Sequence, residues 1–302
     1  MQESMYKYMK LGIVHFMAFP TALRGEGPIA ESVSKIAEDD FFTAIELTWV
    51  KDAAEKKKTK AILEASALAV AYAAQPAVLT TPLNPNSLDD VERQKAVNIL
   101  KQEIDSAYYM NAVGIAFLSG KDPGDAQRKD ATAALVATTQ ELCDYAKSKG
   151  DLKVVLETFD RAIDKKSLIG PSDEAAAFAE AVNRGNFGLM VDLSHLPIQF
   201  ESAKETLANV KDYLVHAHVG NCIMKDSNHP GYGDMHPRFG IEGGENDVEE
   251  LTEFLAALFD IGYLGEGKQP FVSFEVKPLE GETSELVIAN AKRTMREAWL
   301  RL

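Results

Sequence analysis

The sequence predicts an α/β fold, a single (β/α)8 TIM barrel over residues 1–302, on three observations. Strand-like and helix-like segments alternate eight times along the chain. Such alternation implies a parallel sheet flanked by helices. The length suits one closed barrel of eight units, and no G-x-G-x-x-G or P-loop supports an open nucleotide-binding sheet. The last four strand-like runs each end in an acid or a histidine, at the end of a barrel strand where active sites are built.

The units follow in order. LGIVHFMAF (11–19) reads as the first strand, and Pro28 suits the first turn of a helix over 28–40. AIELTWV (44–50) leads to a charged helix over 52–67, and LAVAYAAQ (68–75) leads to a long helix beginning at Ser87. In that helix Val91, Ile99, Leu100, Ile104 and Ala107 fall at helical spacing, and Ser87 with Asp90 forms an S-x-x-D start. GIAFLSG (114–120) precedes a helix over 124–148 that stops near Gly150. LKVVLETFD (152–160), FGLMVDLSH (187–195), YLVHAHVGN (213–221) and PFVSFEVKP (270–278) are the remaining strands. Their helices are expected over 172–185, 201–213, 247–263 and 284–302. A segment over 222–246 is the one long connection, between the seventh strand and its helix.

Formal charge is −14, with 46 acidic against 32 basic residues. Binding to duplex DNA or RNA needs a basic surface, and so does an anionic membrane, so neither is an expected partner. No apolar run approaches the roughly 20 residues of a membrane span. Cys143 and Cys222 form no C-x-x-C pair, which argues against a disulfide framework or a zinc knuckle. A cytoplasmic protein is the expectation.

The chemistry is concentrated in Glu157, Asp192, His218 and Glu275, which close the last four strand runs. Buried charges must be paired or bound to metal. A cation lets three carboxylates approach without mutual repulsion, and three carboxylates with one imidazole suit Mn²⁺ first, or Mg²⁺, Co²⁺ or Zn²⁺. His216 and His218 share a strand face. His218 lies nearer the strand end and is assigned the metal, whereas His216 lies one layer deeper. Glu157 and Glu275 flank the metal and can serve as ligand and proton carrier together. His195, just beyond its strand, either holds a substrate hydroxyl or bonds to backbone. The long loop supplies His229, Tyr232, Asp234, His236 and Arg238 to cover a sugar-like substrate, since connections of more than about 12–15 residues are usually functional or disordered. Glu46 and Trp49 are candidates to line the pocket. His15 faces either the barrel mouth or the core.

At these motifs the sequence resembles the xylose-isomerase-like sugar isomerase and epimerase superfamily, closest to its ketose 3-epimerase branch. The resemblance implies metal ligands Glu157, Asp192, His218 and Glu275, with the two glutamates as acid/base pair. It implies substrate contacts from His195 and from Arg161, four residues after Glu157. Two positions depart from the pattern: Ile163 stands where those epimerases carry a glutamate, and Met224 where they carry an arginine, with Lys225 or Arg238 as substitutes. HVGNCIMKD…HPGYGDMHPRFG is also similar to the larger subunit of bacterial C-glycoside deglycosidases, which eliminate an aglycone from a 3-keto glycoside. The expected activity is therefore a metal-dependent keto-sugar isomerase or epimerase, with oligomeric state open and a homo-oligomer compatible with it. The alternative is a lyase that works with a partner subunit.

Overall fold

The computed structural model describes all 302 residues. Its strands are β1 (Lys10–Ile13), β2 (Ala44–Leu47), β3 (Ala69–Ala73), β4 (Gly114–Leu118), β5 (Lys153–Glu157), β6 (Phe187–Asp192), β7 (Leu214–Gly220) and β8 (Phe271–Glu275). They pair in parallel in the order β1-β8-β7-β6-β5-β4-β3-β2. The two edges meet where Thr43 N–H donates to the Leu11 carbonyl (2.9 Å) and where Val14 bridges to Glu46. That contact brings the sheet round into a single (β/α)8 barrel.

The helices are α1 (His15–Ala18), α2 (Ile29–Ala37), α3 (Ala53–Ser66), α4 (Gln75–Leu79), α5 (Asp90–Tyr109), α6 (Asp125–Lys149), α7 (Ser172–Val182), α8 (His195–Gln199), α9 (Ala203–Val210), α10 (Val248–Asp260) and α11 (Ser284–Arg301). Local chemistry starts most of the long ones. Asp52, Ser202 and Thr283 each accept a backbone N–H at their helix start, and Asp247 with Glu250 forms a reciprocal capping box before α10. These helices pack on the barrel through one cluster of 71 buried apolar residues running from Met9 to Trp299, which makes a single core. No helix is long and apolar enough to cross a membrane.

The strands are shorter than their hydrophobic runs. In the first run the chain leaves the sheet at Val14, and HFMA forms the helical turn α1, so His15 opens a helix rather than sitting inside a strand. His195 likewise opens the short helix α8. Both turns are largely buried, and a short buried apolar run does not distinguish strand from helix by periodicity. The start of α5 also differs from expectation. Asp89, not Ser87, is the cap, accepting from Val91 N–H (2.8 Å) and Glu92 N–H (3.0 Å), while the Ser87 hydroxyl bonds the Glu92 side chain.

Strand register places the site. Glu157 lies beside Met190, Asp192 beside His218, and Gly220 beside Glu275. From β5 to β8 the four chemical residues are therefore offset by nought or two positions. An even offset keeps them on one face of the pleat, here the barrel interior.

Candidate active site

The end of β7 sets the centre. His218 is 2% exposed, and its Nδ1 lies 2.7 Å from Glu275 Oε2, 3.5 Å from Glu157 Oε1 and 3.9 Å from Asp192 Oδ2. One ligand atom from each of these four buried residues falls within 4.8 Å of all the others. That span is close to twice a metal–oxygen bond of about 2.1–2.4 Å, so one ion reaches all four.

The donor set fits a divalent cation. Glu157 Oε1 and Asp192 Oδ2 are buried and accept no hydrogen bond, which is costly for a carboxylate oxygen unless a cation satisfies it. Three oxygens and one imidazole nitrogen suit a hard or borderline ion. The second oxygen of each free carboxylate is already held: Gln75 Nε2 donates to Glu157 Oε2 (2.7 Å), and Ser194 N–H donates to Asp192 Oδ1 (2.6 Å).

Around this centre stands a ring of supporting charges. His218 Nε2 lies 3.1 Å from both oxygens of Glu46, and His216 Nε2 bonds Glu46 Oε1 at 2.6 Å. His216 thus sits one layer below, on the carboxylate that braces His218. Burial raises the Glu46 carboxyl, but His216 and His218 outweigh it and hold Glu46 well below its ordinary range. Burial works against a charge on His218, yet Glu46, Glu157 and Glu275 raise it well above the usual imidazole range. Burial pushes the Glu275 carboxyl up, partly countered by His236 and His218.

The long 222–246 loop adds a second cluster. Asp234 Oδ1 lies 2.9 Å from His195 Nε2 and 2.7 Å from His236 Nε2, and Lys165 Nζ reaches Asp234 Oδ2 at 2.7 Å. One carboxylate thereby ties together the loops after β5, β6 and β7. Burial disfavours charge on Asp234, but Lys165, His195 and His236 hold it well below its ordinary range. His236 is disfavoured by burial too, and Glu275, Asp234 and Asp192 raise it to about 9. His236 has a left-handed backbone (φ +50°), a conformation that strains a non-glycine residue and often marks functional sites. It rests on Gly220, where a Cβ would come 2.5 Å from the Glu275 carbonyl oxygen and 3.2 Å from His236 Nδ1.

A cavity of about 190 Å³ opens onto Glu157, His218 and Glu275, with Asp192 buried behind them. Glu46, Gln75, Glu157, His218, Glu275 and His236 line its chemical end, and Phe16, Met17, Leu23 and Leu79 form an apolar wall. His195 lies behind it, its Nδ1 bonded to the Thr158 carbonyl (2.8 Å) and its ring against Phe159 (4.5 Å between centroids).

Several residues expected from sequence lie off this cavity. Arg161 is locked to Glu174 (2.7 and 2.6 Å) and donates to the Leu168 carbonyl. Arg238 pairs with Glu282 at 2.9 Å. His229 accepts from Gly231 N–H within its own turn. Trp49 donates to the Leu23 carbonyl (3.0 Å) beneath the Lys51 ammonium. His15 is buried against Ser32 (2.8 Å) and Phe19. Both guanidinium groups are engaged by acids outside the cavity.

Sequence reasoning missed Gln75 and Lys165. Gln75 closes the run LAVAYAAQ, so it carries the same signal as the acids, a polar group at the end of a hydrophobic run. Lys165 lies in an irregular loop, where no periodicity marks it.

Comparison with known proteins agrees with this architecture. A family model described as xylose isomerase-like TIM barrel matches residues 34–297. Over 191 residues the chain is 28% identical to an L-ribulose 3-epimerase of Methylomonas sp. (strain DH-1), an alignment covering 62% of this chain and 59% of that protein. Among solved structures, a D-allulose 3-epimerase from Methylomonas sp. matches with TM-score 0.70 and 21% identity, covering 96% of this chain and 98% of that one. An IOLI protein with a bound zinc atom matches with TM-score 0.73 and 16% identity, covering 96% and 98%. At these identities the solved structures speak to the fold alone.

Proposed function

This chain belongs to the xylose isomerase-like TIM-barrel family, and on that premise we propose that it is a divalent-metal-dependent epimerase or isomerase of a keto-sugar. The observation that carries the reading is the convergence of Glu157, Asp192, His218 and Glu275 within 4.8 Å, with two carboxylate oxygens otherwise unsatisfied. The relative named L-ribulose 3-epimerase supports the substrate class. The four residues hold the ion, with Mn²⁺ the first choice and Mg²⁺, Co²⁺ or Zn²⁺ fitting the same donors.

A divalent cation at this position supplies Lewis-acid stabilisation for the oxygen charge that develops as the C–H between a carbonyl and a hydroxyl ionises. The protein's own residues do the rest. Glu157 and Glu275 approach from β5 and β8, with β6 and β7 between them. One carboxylate takes the proton from the carbon next to the carbonyl, and the other returns a proton to the opposite face, inverting that carbon. Glu46 fixes His218, and Gln75 orients Glu157. His236, held by Asp234, presents the polar edge that receives substrate hydroxyls, and His195 braces Asp234 from behind the cavity. Arg161, Arg238, His229, Trp49 and His15 are not needed in this account.

The test is incubation of candidate ketoses with the Mn²⁺-loaded protein in D₂O. Deuterium at the carbon next to the carbonyl is the expected result, and its absence from every ketose tried would overturn the proposal. A second reading, a lyase that releases an aglycone from a 3-keto glycoside with a partner subunit, is favoured by the apolar wall of Phe16, Met17 and Leu23. Release of an aromatic product from an oxidised C-glycoside would select it.

A further inference from the structure

A second cavity, of about 330 Å³, lies beside the first and shares Leu79 and Lys165 with it. It is formed by the segment after α4 and by the loops after β4 and β5, none of which contributes to the metal-ligand set. Small-molecule sites usually enclose about 300–1,000 Å³. The catalytic cavity of about 190 Å³ falls short of that range alone and reaches it only together with its neighbour.

The two cavities differ in lining. The second has apolar walls from Val78, Leu83 and Leu118, as the first has from Phe16, Met17 and Leu23, but in place of the first cavity's acids and histidines it carries Asn84, Glu92 and Lys121. Within the second, Asn84 uses its Oδ1 to accept from Asn86 N–H (3.2 Å), which leaves its Nδ2 donors without a protein partner. The Lys121 ammonium has none either, since only the Lys121 carbonyl is engaged, by Asn86 Nδ2 (3.2 Å). Asn86 is 2% exposed, and its Oδ1 is buried with no partner. Gly120 forms part of the wall, and no side chain fits there: a Cβ would stand 2.1 Å from Asn84 Oδ1 and 2.6 Å from Asn86 Oδ1. Apolar walls with unpaired donors, a carboxylate and bare backbone between them suit a sugar ring, which offers C–H faces and hydroxyls together, better than a single ion.

We infer that this second cavity is a glycosyl subsite, so that the substrate is a keto-sugar bearing a second sugar ring and not a free monosaccharide. This inference rests on the keto-sugar reading above. The reacting ring sits between Glu157 and Glu275, the linkage passes Leu79 and Lys165, and the second ring meets Asn84, Lys121 and Glu92.

The test uses Mn²⁺-loaded protein, titrated calorimetrically with D-fructose and with the keto-disaccharides isomaltulose, maltulose and lactulose, with solvent-deuterium exchange measured in parallel. At least one keto-disaccharide is expected to bind about tenfold more tightly than fructose, which one or two extra hydrogen bonds supply. Leu83→Trp, which narrows the second cavity from its wall, should erase that preference while leaving fructose affinity unchanged. Asn84→Ala should weaken only the disaccharide. Equal binding of fructose and every disaccharide would overturn the subsite and leave the keto-sugar reading standing. Absence of deuterium exchange into all of these sugars would overturn both.

Discussion

Both carboxylate oxygens of Glu46 stand 3.1 Å from Nε2 of His218, the ring nitrogen opposite the one turned toward Glu275, Glu157 and Asp192. A metal-binding histidine that donates its outer N–H to a carboxylate is fixed in tautomer and ring orientation and made more basic. Glu46→Gln is therefore expected to weaken Mn²⁺ binding about 10–100-fold with the fold retained. Competition against a chelator of known affinity measures this, and unchanged affinity would dissociate Glu46 from the ion.

Glu157 and Glu275 are each assigned a proton. Replacing either with Gln should lower kcat by about 10²–10⁴. Solvent-deuterium exchange and circular dichroism together separate lost chemistry from lost fold. A variant with near-normal turnover would remove that residue from the acid/base pair.

Asp234 joins His195, His236 and Lys165 at a buried position on the cavity wall. Neutralising one member of such a buried set leaves uncompensated charge and typically costs about 3–5 kcal/mol. Asp234→Asn should lower urea stability by that order and speed amide exchange within 222–246. Normal exchange there would mean that the loop is anchored by other contacts.

Arg238 illustrates the opposite case. Its guanidinium is committed to Glu282 outside the cavity. Arg238→Ala should leave KM for the active ketose unchanged within about twofold and alter stability by less than about 1 kcal/mol, as for an exposed ion pair. A severalfold rise in KM would place the arginine at the substrate.

His15 offers a pH test away from the metal centre. Burial depresses it from 6.5 to about 4. The folded protein keeps the imidazole neutral while the unfolded chain protonates it, so its contribution is complete above pH 6.5 and disappears as pH falls toward 4. At about 1.4 kcal/mol per unit the loss is about 3 kcal/mol. Urea titrations of wild type and His15→Gln across this window should converge as the pH falls. Parallel curves would mean that His15 takes up no additional proton on unfolding.

The alternation of runs made the barrel legible, and the interrupted strand ends marked Glu157, Asp192, His218 and Glu275 as one set. Strand position carries three-dimensional meaning, because an even residue count keeps a side chain on the inner face. Loops carry no such rule. His236 and Asp234 reach the centre while His229 and Arg238, from the same loop, do not, and the local backbone at His236 (φ +50°) helps decide the difference. Arg161 is a related case: it stands four residues after Glu157 but off the cavity, because Glu174 on α7 takes up its charge. Glu46 lies 111 residues before Glu157, and only closure of the sheet shows that it touches His218.

Glu46 also stands at the seam where the Thr43–Leu11 hydrogen bonds and the Val14–Glu46 bridge join β1 to β2. One residue thus serves as both clasp and brace. A motion that parted the first two strands would carry the same carboxylate away from the imidazole, so on the proposed assignment closure of the cylinder and affinity for a metal are linked.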